Sequence, residues 1–178
     1  MSAYQRVRQW NTFAQQWHLF DAKWQNPFIS APVLAKYLKG THKPIYHPLS
    51  DTGDHVVVIN SRHIALPGEE WRWRCYFHHT GYPGGATWTY AWELHEKDPT
   101  MVMHKAVLRA IEKNWNRIRI LKRLHIFPES EIPEDIKQNI SNQIPVQRPV
   151  PRSLLSYSDE EIAKFPKIVD YPKDYVVD

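Results

Sequence analysis

The 178-residue chain has one cysteine, Cys75, so it can form no internal disulfide and no cysteine-based zinc site, and it suits a reducing compartment. No run of about 18 apolar residues occurs, which excludes a helical membrane span. Neither a GxxxxGK[ST] phosphate loop nor a GxGxxG turn is present, so a nucleotide-binding α/β enzyme lacks its main support. Ten histidines invite a metal reading, and His42, His47, His55, His78 and His79 cluster loosely. None stands at the i, i+4 spacing with a carboxylate partner that a zinc hydrolase uses, so no metal or other cofactor is assigned. The first twenty residues hold no acid and carry Arg6 and Arg8, a pattern compatible with a mitochondrial import signal.

What is abundant is aromatic and basic. Eight tryptophans and nine tyrosines exceed what one core needs and leave some for contact surfaces. The net charge of +4 hides an asymmetry. Residues 1–127 hold 17 Lys and Arg against 9 Asp and Glu, whereas residues 128–178 hold 6 against 10. A basic body with an acidic tail points to a polyanionic partner for the body and a different one for the tail.

Periodicity places the elements. Tyr4, Val7, Trp10, Phe13 and Trp17 predict a short amphipathic helix over 4–16, and Trp17 to Asp21 a first strand. Ser30 can cap a helix with Pro32 in its first turn and Gly40 at its end. Residues 41–48 should be extended around Pro44 and Pro48, followed by a turn over 50–54. There Asp51 and Asp54 flank Gly53 as turn chemistry. Val56-Val57-Val58-Ile59 reads as a strand buried on both faces, hence a parallel sheet between helices.

From Trp71 the pattern alternates. Trp71, Trp73, Cys75 and Phe77 point one way as an inward apolar face, and Arg72, Arg74, Tyr76 and His78 point the other. This strand leads into His78-His79-Thr80-Gly81-Tyr82-Pro83-Gly84-Gly85. Three glycines and a proline in five positions exclude helix interior and regular strand there. A rigid loop with exposed N–H groups, two imidazoles and a phenol suits a phosphate backbone or a nucleobase; a tight turn is the plainer alternative. Thr89 can cap a helix through Trp92 and Leu94, and Asp98-Pro99 another. Residues 104–125 then carry Lys105, Arg109, Lys113, Arg117, Arg119, Lys122 and Arg123 against Glu112 alone. If helical throughout, Arg109, Lys113 and Arg117 form one cationic stripe, a sequence-independent reader of phosphates. Beyond Phe127 lie half of the fourteen prolines, with short helices over 133–140 and 158–165, the second opened by the capping box Ser158-x-x-Glu161.

Three blocks resemble large-subunit ribosomal protein thirteen of bacteria and organelles. They are Lys39-Gly40-Thr41-His42-Lys43-Pro44-Ile45-Tyr46-His47-Pro48, Asp51-Thr52-Gly53-Asp54-His55-Val56-Val57-Val58-Ile59-Asn60, and Tyr76 through Gly85. Lys105-Ala106-Val107, Lys113-Asn114 and Lys122 through Phe127 continue the match. The acid-free start and the proline-rich tail through Pro172-Lys173-Asp174-Tyr175 look like the animal mitochondrial form. The resemblance implies a three-layer α/β/α fold around a small, mostly parallel sheet of about four strands. It divides the chain into an extension over 1–15, a core over 16–127 and an acidic, proline-rich extension over 128–178. It implies a structural, non-catalytic role in the mitochondrial large ribosomal subunit, in the matrix, on ribosomal RNA, with neighbouring ribosomal proteins met through the tail.

Carried over by position, its RNA-facing residues are Lys39, His42, Lys43, Tyr46, His78, His79, Thr80, Gly81, Tyr82, Gly84, Gly85, Lys113, Asn114, Arg117 and Arg123. The polar strand face adds Arg72 and Arg74. Where the bacterial pattern has Gly-Arg-Leu-Ala, this chain has Ser30-Ala31-Pro32-Val33-Leu34-Ala35, so an arginine contact is lost. Where that pattern breaks the basic helix with glycine and proline, this chain has Arg109-Ala110-Ile111-Glu112, which predicts one continuous helix. A free-standing RNA-binding regulator of translation would use the same residues, whereas a hydrolase or transferase would be built on His78, His79 and Asp54.

Overall fold

The computed structural model describes residues 15–166. The chain opens with strand β1 (Trp17–Asp21), helix α1 (Pro27–Lys39) and strand β2 (His55–Ile59). A short helix α2 (Glu70–Trp73) leads into strands β3 (Cys75–His79) and β4 (Ala86–Tyr90), then helices α3 (Ala91–Lys97), α4 (Met101–Ala110) and α5 (Arg117–Leu121). Strand β5 (Leu124–Ile126), helix α6 (Glu134–Lys137), strand β6 (Ile140–Gln143) and helix α7 (Asp159–Ala163) follow. Strands β5-β2-β1-β6 form one parallel sheet in that order, and β3 and β4 pair as a separate antiparallel hairpin. This is the expected α/β class with a four-stranded sheet. Its fourth strand, β6, comes from the proline-rich segment after residue 127, and Ile144 just beyond it is buried in the core.

Local chemistry explains the elements. In β2, Val56, Val57 and Val58 are fully buried and hydrogen-bonded to a neighbour on each side. Each such side chain contributes about 1.5–3 kcal/mol by leaving water. Helix α1 starts earlier than expected, because the Asn26 side chain accepts from the Phe28 N–H at 2.9 Å and Pro27 occupies the first position. Ser30 therefore sits inside the helix, buried, and does not cap it. Gly40 ends the helix as expected, its N–H donating to the Lys36 and Tyr37 carbonyls. Helices α1 and α4 pack together, and Leu34, Leu38, Val102, Met103 and Val107 meet Phe20, Val56 and Val58 in the core. On the opposite face of the sheet, Trp17, His55 and His125 stack at centroid distances of 4.1 and 5.2 Å from the tryptophan.

Other expectations are corrected. The stretch 41–50 is not extended but folded into successive turns, with Lys43 N–H bonded to Gly40 O and Tyr46 N–H to Lys43 O. Trp71 and Trp73 belong to α2, so the alternating strand begins only at Cys75; Cys75 is exposed, not packed inward. Residues 86–90 form β4 rather than the start of a helix, and α3 is opened by Tyr90, not Thr89. Asp98 does receive the Thr100 N–H and hydroxyl, and α4 begins at Met101. The basic helix is broken after all: α4 stops at Ala110, Ile111 turns extended and is buried, and α5 restarts at Arg117. Burial of Ile111 overrides a run that local propensity would keep helical. The capping box of Ser158 and Glu161 is present at the head of α7. The helix expected over 4–16 and the import signal fall outside the described residues, apart from positions 15 and 16, which are not helical. The segment 172–175 lies outside them too.

Candidate nucleic-acid interface

Three residues placed just before parallel strands organise one end of the sheet: Gln16 before β1, Asp54 before β2 and Arg123 before β5. Asp54 is 0% exposed. Its Oδ1 accepts from the Gln16 N–H at 2.9 Å and pairs with the Lys43 ammonium. Its Oδ2 lies 3.0 Å from His18 Nε2 and 3.1 Å from His42 Nε2. An ionised carboxylate only accepts, so the His18 imidazole, hydrogen-bonded to it, carries its proton on Nε2. Burial opposes ionisation of Asp54, but the hydrogen bonds from His18, Lys43 and Gln16 outweigh it and hold the carboxyl below its ordinary range. Beside this network, Arg123 donates to the Leu38 carbonyl at 3.0 Å and pairs with Asp51 at 2.6 Å.

His18, His42 and Asp54 place three ligand atoms within 4.8 Å of one another, a spacing that could accept a small cation. The Lys43 ammonium already neutralises the carboxylate from its other oxygen, so the arrangement is complete as an ion-paired network. These charges gather at the amino ends of the strands, whereas open α/β sheets carry their ligand crevices outside the carboxyl ends. The grouping of His78, His79 and Asp54 does not form: the two histidines stand exposed on the hairpin and Asp54 is buried beneath the 41–52 turns.

The network anchors those turns, which form one wall of a cleft. Lys39, Tyr46 and Ser50 line one side; Asn114, Asn116 and Arg119 line the other, with Arg123 between. Lys39 bridges the mouth to Glu112 at 2.7 Å. Lys113, Asn114 and Arg119 are exposed, as is Trp115 at 93%. Trp115 is a contact candidate that the sequence reading left out, and Arg119, named there only within the basic run, is a second; exposure marks both. Arg117, by contrast, turns its guanidinium back to the Leu108 carbonyl, so the stripe of Arg109, Lys113 and Arg117 does not exist. His42, Lys43 and Arg123 are likewise directed inward, onto Asp54, Asp51 and the Leu38 carbonyl.

The hairpin makes a second group. Thr80 N–H bonds Gly85 O at 3.1 Å, Gly85 N–H bonds Tyr82 O at 2.9 Å, and Gly81 N–H donates to His79 Nδ1 at 2.8 Å. The loop thus closes on itself, with Tyr82 and Gly84 exposed at its tip. Since His79 Nδ1 accepts, the neutral ring carries its proton on Nε2, a donor at the tip. Arg72 pairs with Glu69, and Arg74 pairs with Glu70 and stacks 3.8 Å over Phe28.

Partly buried imidazoles set the acid response. Burial lowers the pKa of His42, with the Asp54 carboxylate opposing, and lowers those of His104 and His125. His55 is lowered by burial and further by His125 and Arg123. The unfolded chain therefore binds more protons between 6.5, the ordinary histidine value, and the lowered folded values, so stability falls as pH drops through that window. Asp54 adds a later loss: its stabilisation is complete above 3.8 and disappears as pH falls through its lowered folded value. The urea midpoint should be level from about pH 8 to about pH 7 and decline below about 6.5. His55→Phe with His125→Phe should make that decline shallower. A midpoint that holds steady to about pH 5 contradicts the assignment.

Both groups lie within residues 15–133, the region matched by a family described as Ribosomal protein L13. The chain is 56% identical over 177 residues to large ribosomal subunit protein uL13m of Drosophila melanogaster, covering 99% of each chain. It is 39% identical over 114 residues to uL13 of Syntrophus aciditrophicus, covering 64% of this chain and 80% of that one. With uL13 of Thermotoga petrophila the identity is 36% over 124 residues, covering 70% and 83%. The chain belongs to the ribosomal protein L13 family.

Proposed function

We propose that this protein is a structural, non-catalytic constituent of the mitochondrial large ribosomal subunit, in the matrix, and that it holds folded ribosomal RNA at two places. The observation that carries the reading is the 56% identity with uL13m along 99% of both chains. One contact is the hairpin tip, with His78, His79, Thr80, Gly81, Tyr82, Gly84 and Gly85. The other is the cleft mouth, with Lys39, Tyr46, Lys113, Asn114 and Arg119. Donors at the tip and cations at the cleft mouth suit phosphates and folded shape rather than base sequence. His42, Lys43, Arg117 and Arg123 serve as positioning residues, holding the cleft walls through their internal partners. Arg72 and Arg74 act within the hairpin base, against their glutamates. The proline-rich, acidic extension over 128–178 meets neighbouring ribosomal proteins.

The RNA surface is tested by salt dependence. Lys113→Ala with Arg119→Ala should weaken binding to large-subunit RNA and reduce the slope of log affinity against log salt by about two phosphate contacts. Arg117→Ala should leave that slope unchanged. An unaltered slope in the double variant would refute the cleft as a phosphate reader.

A further inference from the structure

We infer that the aromatic face of the hairpin is a docking surface for a neighbouring polypeptide, an aliphatic segment flanked by lysine or arginine. The inference rests on the ribosomal role proposed above and adds the kind of partner this face takes.

Along β3 and β4, alternate residues share a face. Cys75 lies opposite Tyr90, and Phe77 opposite Trp88, with those two rings 4.6 Å apart. Trp73 before the hairpin and Trp92 after it extend the same face, lining one groove with Cys75 and Tyr90. The other face turns to the body, where Tyr76 is half-buried under the Lys105 ammonium. Trp73 is 78% exposed and Trp88 65%. Tryptophan and tyrosine gathered in one exposed patch mark an interaction site, because isolated domains seldom leave so much contiguous apolar surface in water.

Charge chooses between partners. Aromatic platforms that stack RNA bases sit in positively charged grooves. Here the groove is rimmed by Glu69 and Glu93, and its one cation, Arg72, lies 3.6 Å from Glu69. Two carboxylates against one paired guanidinium repel phosphate and attract basic side chains, which can also lie over the tryptophan rings. The hairpin then has two roles: its tip meets RNA and its flat side meets protein.

The test places the photo-crosslinking amino acid p-benzoylphenylalanine at position 88 of the full chain and irradiates isolated mitochondrial large subunits. The expected product is a nuclease-resistant protein adduct whose crosslinked peptide is aliphatic with adjacent Lys or Arg. Glu69→Lys with Glu93→Gln should lower its yield about fivefold or more while the protein still sediments with the subunit. Adducts to RNA alone, or none, in subunits that contain the protein would overturn this inference and leave the ribosomal role standing. Absence of the protein from the subunit fractions would overturn both.

Discussion

Asp54→Ala is expected to destabilise the fold by about 3–5 kcal/mol, read as a lowered urea midpoint, and to disorder the cleft wall. The carboxylate has no solvent exposure and receives the Gln16 N–H, the Lys43 ammonium and His18 Nε2, with His42 Nε2 3.1 Å away. Removing it leaves a cation, the His18 ring and a backbone donor without their acceptor, at a site where Lys43 is only 11% exposed and His18 only 6%. Asp54→Asn keeps one acceptor oxygen and should cost less. Lys43→Met alone should also be costly, since it strips the carboxylate of its counter-charge. The double variant Asp54→Ala with Lys43→Met should lose less than the sum of the singles, because neither unpaired charge remains. Additive losses would show that the two residues act independently.

Gly53→Ala should be comparably severe for a steric reason. A β-carbon there would stand 1.9 Å from the Leu38 carbonyl oxygen and 2.5 Å from an Arg123 guanidinium nitrogen. The carbonyl belongs to the last turn of α1 and cannot retreat without unravelling it. The Arg123 bond to that oxygen would be lost as well, leaving a buried guanidinium partly unpaired. We expect a loss of about 3 kcal/mol or more. Gly84 provides the contrast. A β-carbon there meets nothing within 4 Å, but the backbone is left-handed, with φ of +75°. Gly84→Val should cost about 1–2 kcal/mol, confined to the hairpin, while damaging entry into large subunits more than thermal stability. Equal loss of both would count against a contact role for the loop.

Local signals carried the elements that the sequence made legible. Three consecutive valines announced a central strand, Gly40 the end of α1, and Ser158 with Glu161 the start of α7. Errors arose where tertiary contacts overrode local pattern. The alternation from Trp71 to Phe77 looked like one strand, yet its first half is helical, Trp71 packs against the core, and Trp73, Cys75 and Phe77 face outward. The arginine stripe assumed a helix across 111–116, where burial of Ile111 breaks it. The polar network was hidden because His18 and Asp54 are 36 positions apart and only parallel pairing of β1 and β2 brings them together. Residues that a family pattern marks as RNA-facing, such as Lys43 and Arg123, can thus act by holding the framework of the contact surface. Gathering the loops at the amino ends of the strands makes that division possible.

The most direct test of the central claim is sedimentation of an epitope-tagged chain from detergent-lysed mitochondria, followed by ultraviolet crosslinking of the large-subunit fractions. The account predicts co-migration with the large subunit and crosslinks to its ribosomal RNA from the hairpin tip and from residues 113–119. Recovery only at the top of the gradient, or crosslinks to a spread of messenger RNAs without ribosomal RNA, would contradict it.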